Sequence, residues 1–390
     1  MRRVYMDANA TTPLLPEVFE AMRPYFLEQF GNASSIHQQG QRARAAVDQA
    51  REQVARLLHC RSSEVVFTSG GTESDNLALF GVLAAGDHLV TTATEHHAVL
   101  HAAEALEKRG VEVTYLPCTP AGLIEPAALE AALRPNTRLV SIIYANNETG
   151  TIQPIRKLAE ITKAHSKALF HTDAVQAAGK LPLDLKTALK DVDLLSIAGH
   201  KMYAPQGTGI LFVRRSVRLA PLFHGGTHER QRRAGTENLP GIVALGKAAE
   251  LAETWLASEG VERLTALRDR LEQTILREVP ESGVNGAGTE RVANTTNLYF
   301  DHVEAEALVI ALDLKGLSVS GGSACQSGAT EPSHVLTAMG LSPARARASI
   351  RFSLSKLTTE EEIDFALSLV PAAVERLRRL SPTWRAEKVA

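Results

Sequence analysis

Cysteine is scarce in this chain. Its 390 residues contain three, Cys60, Cys118 and Cys325. An odd, sparse set argues against a disulfide framework and for a reducing, cytoplasmic setting. None lies in a CxxC or similar spacing, so no zinc site is indicated and no metal is expected. Charge of one sign is also missing: 42 Lys and Arg face 44 Asp and Glu, a net charge of −2. A strongly basic nucleic-acid binder would not look like this. No apolar run approaches the ~18–20 residues needed to cross a bilayer, so no membrane partner is expected. The opening MRRVYMDANATTP has two arginines with no apolar stretch behind them, a poor secretory signal. Internal repeats, low-complexity tracts and long flexible linkers are absent as well.

What is present is material for a large core, 44% hydrophobic against 22% charged. At ~150 residues per domain the length suits two or three domains, or one large enzyme domain with a smaller one. Short β-branched runs predict strands at Glu64–Thr68, His88–Thr92, Glu112–Leu116, Leu139–Tyr144, Leu169–Thr172, Leu194–Ile197 and Ile210–Val213. Helix-period stretches lie between them, at Gly40–Leu58, Glu73–Ala84, Val99–Arg109, Pro126–Leu133 and Ile155–His165. The alternation predicts an α/β fold, a mostly parallel sheet between helices. From about Pro240 the pattern changes to one long helix, Gly241 to Glu278, then strands near Asn297–Phe300 and Ser349–Leu354 and helices near Glu304–Asp313 and Thr359–Leu380. That reads as a smaller α+β domain.

Seven segments carry candidate chemistry. In TSGGTESDN a strand runs into glycines and a helix predicted to start at Glu73, where free N–H groups suit a phosphate; Gly71 and Thr72 are the candidates, against an ordinary helix cap. In TEHHAV, one of the adjacent His96 and His97 could stack on a ring or move protons near neutral pH, against exposed loop histidines. Asn146, Asn147 and Glu148, in YANNETG, leave a buried strand at the edge where open α/β sheets bind ligands, though a polar turn explains them too. Asp173, in HTDAVQ, is the carboxylate that a protonated pyridine nitrogen needs, or a cap; Gln176 follows it. Lys201, in AGHKMYAPQGTG, sits after an apolar strand in a glycine-rich turn, where a lysine can form a Schiff base. Cys325 lies in the small-residue loop SGGSACQSGATEPS, a setting for an exposed nucleophile, and Cys60 and Cys118 lack it. Arg351, in SIRFS, could clamp a carboxylate or pair with an acidic side chain.

Taken together, TSGGTESDN, TEHHAV, NNETG, HTDAVQ, GHKMYAPQGTG, RAGTEN and SGGSACQSGATEPSHVL resemble the cysteine desulfurases of the NifS/IscS type. These are class-V-aminotransferase-like enzymes of the fold-type I pyridoxal 5'-phosphate group. The resemblance runs from Tyr5 to Asp364. It implies a large domain, 15–258, with a seven-stranded sheet, and a small domain, 1–14 with 259–390, that carries the cysteine loop. It implies that Lys201 holds the cofactor and that His96 stacks on its ring and shuttles protons. Asp173 would meet the ring nitrogen and Gln176 the phenolic oxygen. Gly71, Thr72 and His200 would bind the phosphate, joined by Thr236 from the other subunit of a homodimer. Asn147 and Arg351 would hold the carboxylate of L-cysteine, and Cys325 would take the sulfur as a persulfide for an acceptor protein, in iron–sulfur cluster assembly or another thio-cofactor route.

Departures from the pattern are informative. Ala198 stands where the family commonly has a phosphate-binding serine, and the family's Tyr-Gly-Pro-Lys-Gly reads Tyr203-Ala204-Pro205-Gln206-Gly207. The ending SPTWRAEKVA lacks the longer tail with which IscS-type members engage scaffolds. The loop between Cys325 and Glu331 resembles the longer kind, whose cysteine swings toward an external protein. Alternatives on the same residues are a selenocysteine lyase, an aminotransferase with Cys325 idle, or a cofactor-free iron–sulfur scaffold.

Overall fold

A computed structural model describes residues 2–321, 332–381 and 384. After a short strand, β1 (Val4–Tyr5), the chain builds a seven-stranded sheet. Its strands are β2 (Val65–Thr68), β3 (His88–Thr92), β4 (Glu112–Leu116), β5 (Thr137–Ser141), β6 (Leu169–Asp173), β7 (Leu194–Ala198) and β8 (Gly209–Val213), in the order β2-β8-β7-β6-β5-β3-β4. Strands β3 to β7 pair in parallel, and β8 runs antiparallel to both β2 and β7. All seven predicted strands are present, within three residues at each end. Strands β7 and β8 are buried at every position, as their unbroken apolar sequences require of a sheet covered on both faces. Residues such as Phe170, Ile197 and Phe212 form one core layer and Leu89, Leu139 and Leu211 the other. Each such side chain, fully buried, contributes roughly 1.5–3 kcal/mol.

The long helix expected from Gly241 to Glu278 is two helices, Leu239–Leu256 and Gly260–Glu278. The break has a packing cause. A Cβ at Gly260 would come within 2.4 Å of the Trp255 ring, so the chain turns tightly enough there that only glycine fits. The second helix joins a separate core containing Val4, Met6, Leu267, Leu298, Phe352 and Val370. This core packs on an antiparallel sheet, β12 (Ser320–Gly321), β13 (Ser349–Ser353), β10 (Thr295–Phe300) and β9 (Ser282–Val284). Strand β1 pairs in parallel with β11 (Leu317–Ser318). The short strands β1, β9, β11 and β12 carry little hydrophobic pattern and escape a reading by periodicity.

The winding of the large sheet reverses between β3 and β5, which are neighbours although β4 intervenes in sequence. A crevice opens at the carboxyl ends of strands at such a reversal. The end of β13 approaches it from the other core: Asp7 bridges to Ser353, and Ala8 N–H donates to Ser353 O at 2.9 Å.

Candidate active site

A cavity of about 340 Å³ occupies that crevice. Gly71, Thr72, His96, Asn147, Asp173, Gln176, His200, Lys201 and Arg351 all line it, together with Asn9, Ala10 and Asp75. Nine of the eleven predicted site residues thus meet in one place. Thr236 does not; it lines a second cavity with Ser69, Gly209 and Arg233. Cys325 lies outside the described residues.

Lys201 ends a short 3₁₀ turn directly after β7. Its Nζ donates to the backbone carbonyls of Asn9 and Ala10, the latter at 2.6 Å. The turn beyond it is strained: Tyr203 has φ +66°, a left-handed conformation unfavourable for an aromatic residue. Tyr203 N–H donates to Thr12 Oγ1 at 2.9 Å, and its hydroxyl contacts Ser355 Oγ at 3.1 Å and accepts from Lys356 N–H at 2.6 Å. The lysine is therefore anchored from both cores.

Asp173 ends β6 and is buried; one carboxylate oxygen accepts from Val175 N–H at 2.9 Å. Burial pushes its pKa up to about 6, against the pull of that hydrogen bond and of Lys201. Burial also holds Asp75 well above the usual carboxylate range, aided by Asp173 and Glu95. Its Oδ1 lies 3.6 Å from His171 Nε2 and has no hydrogen-bond partner among the described residues. His171 is pushed down to about 3 by burial, and its nitrogens face Ser141 Oγ at 2.8 Å and Ser196 Oγ at 3.0 Å. Beneath Asp173, burial thus keeps His171 neutral near pH 7 and favours the uncharged form of Asp75, so Asp173 is the carboxylate best placed to pair with a cationic ring nitrogen.

His96 caps the helix His97–Glu107, its Nδ1 accepting from Ala98 N–H at 3.1 Å. Burial, then Lys201 and three neighbouring histidines, lower its pKa to about 4, so the ring facing the cavity is neutral near pH 7. The cap and the stacking surface are the same residue; one reading does not displace the other. His97 turns away, its ring 6.2 Å from that of His96 at 67° and within 4.6 Å of that of His334.

The helix expected to start at Glu73 starts at Gly71, with Gly70 as its cap. Thr72 is thus inside the first turn and not the cap. A Cβ on Gly71 would lie 2.7 Å from Val175 Cγ2, so glycine is needed for this helix end to reach the cavity wall. His200 contacts Thr11 Oγ1 through Nδ1 at 3.1 Å, and burial, then Lys201, lower its pKa to about 4.

Arg351 is almost wholly buried. Its Nη2 pairs with Asp7 at 2.7 Å and its Nη1 donates to the Asn147 carbonyl at 2.9 Å. Its Nε and Asn147 Oδ1 are buried with no hydrogen-bond partner among the described residues. Of the two expectations for Arg351, the acid pair is formed, with Asp7, and the residue also lines the cavity. Asn9 joins the two sides of the site: Nδ2 donates to Asn147 O at 3.1 Å and Thr295 Oγ1 at 2.9 Å. Asp7, Asn9, Asp75 and Lys180 were not singled out from sequence. Lys180 lies four residues beyond Gln176 in an irregular turn, and neither it nor Asn9 carried a periodic signal.

These residues fit pyridoxal phosphate. A helix end offers N–H groups to a phosphate, a neutral imidazole offers a face, a buried carboxylate offers a partner for a ring nitrogen, and a lysine amine opens on the same space. Arg351 Nε, a donor, and Asn147 Oδ1, an acceptor, are left without partners among the described residues, and a carboxylate would suit only the first. Cys60 and Cys118 do not compete as nucleophiles, because burial raises both thiols, Cys60 to about 12.

Comparison with known proteins identifies the class. Residues 4–365 match the Aminotransferase class-V family, and the chain belongs to it, a family of pyridoxal-phosphate enzymes. A cysteine desulfurase of Trichormus azollae is 51% identical over 385 residues, 98% of this chain and 95% of that protein. A cysteine desulfurase IscS of Dictyoglomus turgidum is 46% identical, with 99% of each chain covered. Among solved structures a NifS-like protein superposes with a TM-score of 0.89 at 36% identity, covering 96% of this chain and all of that one. The structure of SspA in complex with cysteine gives 0.79 at 36% identity, covering 91% and 99%.

Proposed function

We infer that this chain is a pyridoxal-phosphate-dependent cysteine desulfurase that converts L-cysteine to L-alanine and leaves a persulfide on Cys325. The observation that carries the reading is the convergence of Lys201, Asp173 and the Asn147–Arg351 pair on one cavity. Bound there, pyridoxal phosphate supplies an electron-poor ring that accepts the electrons released when a bond to the substrate α-carbon breaks. Lys201 holds it through Nζ, and Gly71, Thr72 and His200 surround its phosphate. Asp173 keeps a proton on the ring nitrogen, and burial of Asp75 and His171 beneath it disfavours competing charge there. Arg351 and Asn147 receive the substrate carboxylate, which directs the thiol side of the substrate away from them. Lys201 Nζ and His96 move protons at the substrate carbons.

The Cys325 thiolate attacks the substrate sulfur. A sulfur–sulfur bond forms and the carbon–sulfur bond breaks. Its electron pair stays on carbon, which takes a proton and departs in alanine. The sulfur passes onward to an acceptor protein, in iron–sulfur cluster assembly or another thio-cofactor route, from a cytoplasmic homodimer in which Thr236 serves the partner's phosphate. The domains are 15–258 and 1–14 with 259–390, a division supported by the two separate cores.

Mass spectrometry after treatment with cysteine tests the reading. One extra sulfur on Cys325 is expected, with Cys325→Ala keeping the yellow cofactor but releasing no sulfide. Sulfide release undiminished in that variant would defeat it.

A further inference from the structure

Behind the cavity wall lies a lysine that the chemistry above does not use. Lys180 follows Gln176 by four residues in the irregular turn after β6. It retains some surface, yet its amine is lodged between two amide oxygens, Gln176 Oε1 at 2.7 Å and Asn9 Oδ1 at 3.2 Å. Both partners are uncharged. Burial, then Lys201 and Arg351, push its pKa down to about 7. A lysine amine placed among neutral groups and beside two other cations is unfavourable for stability alone.

We propose that Lys180 is a positioning residue for the cofactor, holding the Gln176 amide so that its nitrogen faces the cavity. A glutamine amide has a donor end and an acceptor end of nearly equal shape, and only its partners choose between them. An ammonium has donors alone and accepts only the oxygen end. With Oε1 held by Lys180, Nε2 points the other way. It donates one hydrogen to the Asn9 carbonyl at 3.0 Å, and among the described residues that is its one acceptor. The second hydrogen is left for whatever occupies the cavity that Gln176 lines. Asn9 cannot turn to replace Lys180, because Asn294 Nδ2 donates to its Oδ1 at 3.0 Å and its own Nδ2 is committed to Thr295 and Asn147. Removing the Lys180 amine leaves the Asn9 carbonyl as the remaining group that selects the nitrogen end, so the amide is held less firmly and the flipped form, which presents an acceptor where the phenolic oxygen of pyridoxal phosphate needs a donor, gains population. This rests on the assignment of Gln176 to that oxygen.

The test uses the holoenzyme and three variants, Lys180→Met, Gln176→Leu and the double variant. The readouts are the cofactor absorbance band and the affinity for added pyridoxal phosphate after the cofactor is stripped. Lys180→Met is expected to move the band in the direction of Gln176→Leu and to weaken affinity about tenfold, the loss of one hydrogen bond. The double variant should be no weaker than Gln176→Leu alone, since one contact is lost only once. Gln176→Glu provides a check that does not need a folded Lys180→Met: an ion pair with Lys180 should hold Tm above that of Gln176→Leu, while affinity falls as in Gln176→Leu. A wild-type band and affinity in Lys180→Met, losses that multiply in the double variant, or a Gln176→Glu Tm below that of Gln176→Leu each overturn the proposal. Wild-type protein that takes up no pyridoxal phosphate overturns the site assignment and this proposal with it. Uptake by wild type with Lys180→Met indistinguishable from it overturns the proposal alone.

Discussion

The wall of the cavity built on the large sheet and the strap that closes it differ in how their residues come together. His96, Asp173 and Lys201 each lie within four residues of the end of a parallel strand, so forming the sheet delivers them to one edge. The strap is Asp7 to Ala10 with Arg351, and its contacts are remote in sequence. Arg351 and Asp7 are 344 residues apart, and Asn9 and Asn147 are 138 apart. The sheet wall is a consequence of secondary structure; the strap exists only once the two cores have met. Under the function proposed above, the wall holds the groups assigned to act on bonds, and the strap carries Arg351, assigned to the substrate carboxylate.

That division predicts different kinetic signatures. The largest effect belongs to the wall. Lys201→Ala should reduce kcat for alanine release by at least ~10³-fold, the range for removing a positioned proton-transfer group, and should abolish the yellow band that borohydride removes. Asp173→Asn should lower kcat by about 10²–10³-fold through loss of electrostatic stabilisation at the ring nitrogen, with KM for cysteine moving far less. On the strap, Arg351→Lys keeps the charge and loses the fork. It should raise KM roughly tenfold or more while kcat changes less. Steady-state kinetics on the three variants break the comparison if Arg351→Lys acts mainly on kcat.

The wall was legible in the sequence for the same physical reason that it folds locally. Apolar runs such as LVSIIY and LLSIA lead within a few residues into polar ones, Asn146-Asn147 and His200-Lys201, at the same edge of a parallel sheet. Hence Asp173, Lys201 and Asn147 were found by position as well as by motif. The strap was half legible. Arg351 stood out as a charge within an apolar strand, but nothing near it in sequence names Asp7 as its partner. Asn9 reads as a polar residue in an irregular segment until Asn147, Lys180, Thr295 and Asn294 surround it. The Gly241–Glu278 helix failed for a related reason: its periodicity continues across Ala257–Glu259, and only the packing of Gly260 on Trp255 shows the break. Thr236 is the reverse case, found by motif yet placed on a different cavity of the same chain.

Protonation of the wall offers a finer probe. Burial raises Glu95 to about 8, with Thr92 Oγ1 and Ile143 N–H as its donors. In the unfolded chain it titrates near 4.5. Between those values the folded protein keeps a proton that the unfolded chain has released. The stability from this group is full below 4.5 and is lost as pH rises through 8, at up to about 1.4 kcal/mol per pH unit. His171, held near 3 by burial, acts in the opposite sense, losing stability as pH falls from 6.5 to 3. Above pH 6.5 the histidine no longer contributes. Lys180, pushed down to about 7 by burial, gains stability as pH rises above 7 and opposes the Glu95 loss, so the Glu95 contribution is read as a difference: the Tm of cofactor-free wild type minus that of Glu95→Gln should fall from pH 6.5 to 8. A slope unchanged in Glu95→Gln would assign it elsewhere, with Glu148, raised to about 7 by burial, as the next group to replace.

The smallest expected effect lies where wall and strap share one side chain. The Tyr203 backbone belongs to the turn that carries Lys201, while its hydroxyl reaches Ser355 and the Lys356 N–H in the other core. Tyr203→Phe keeps the ring and its packing and deletes that link. The loss of one or two hydrogen bonds should cost about 1–2 kcal/mol in urea unfolding. If the turn is held in its left-handed conformation by Thr12 alone, kcat should stay within about twofold of wild type and only stability should fall. If closure of the two cores also places the Lys201 amine, kcat should fall with stability, and the link between the cores would count as part of the wall.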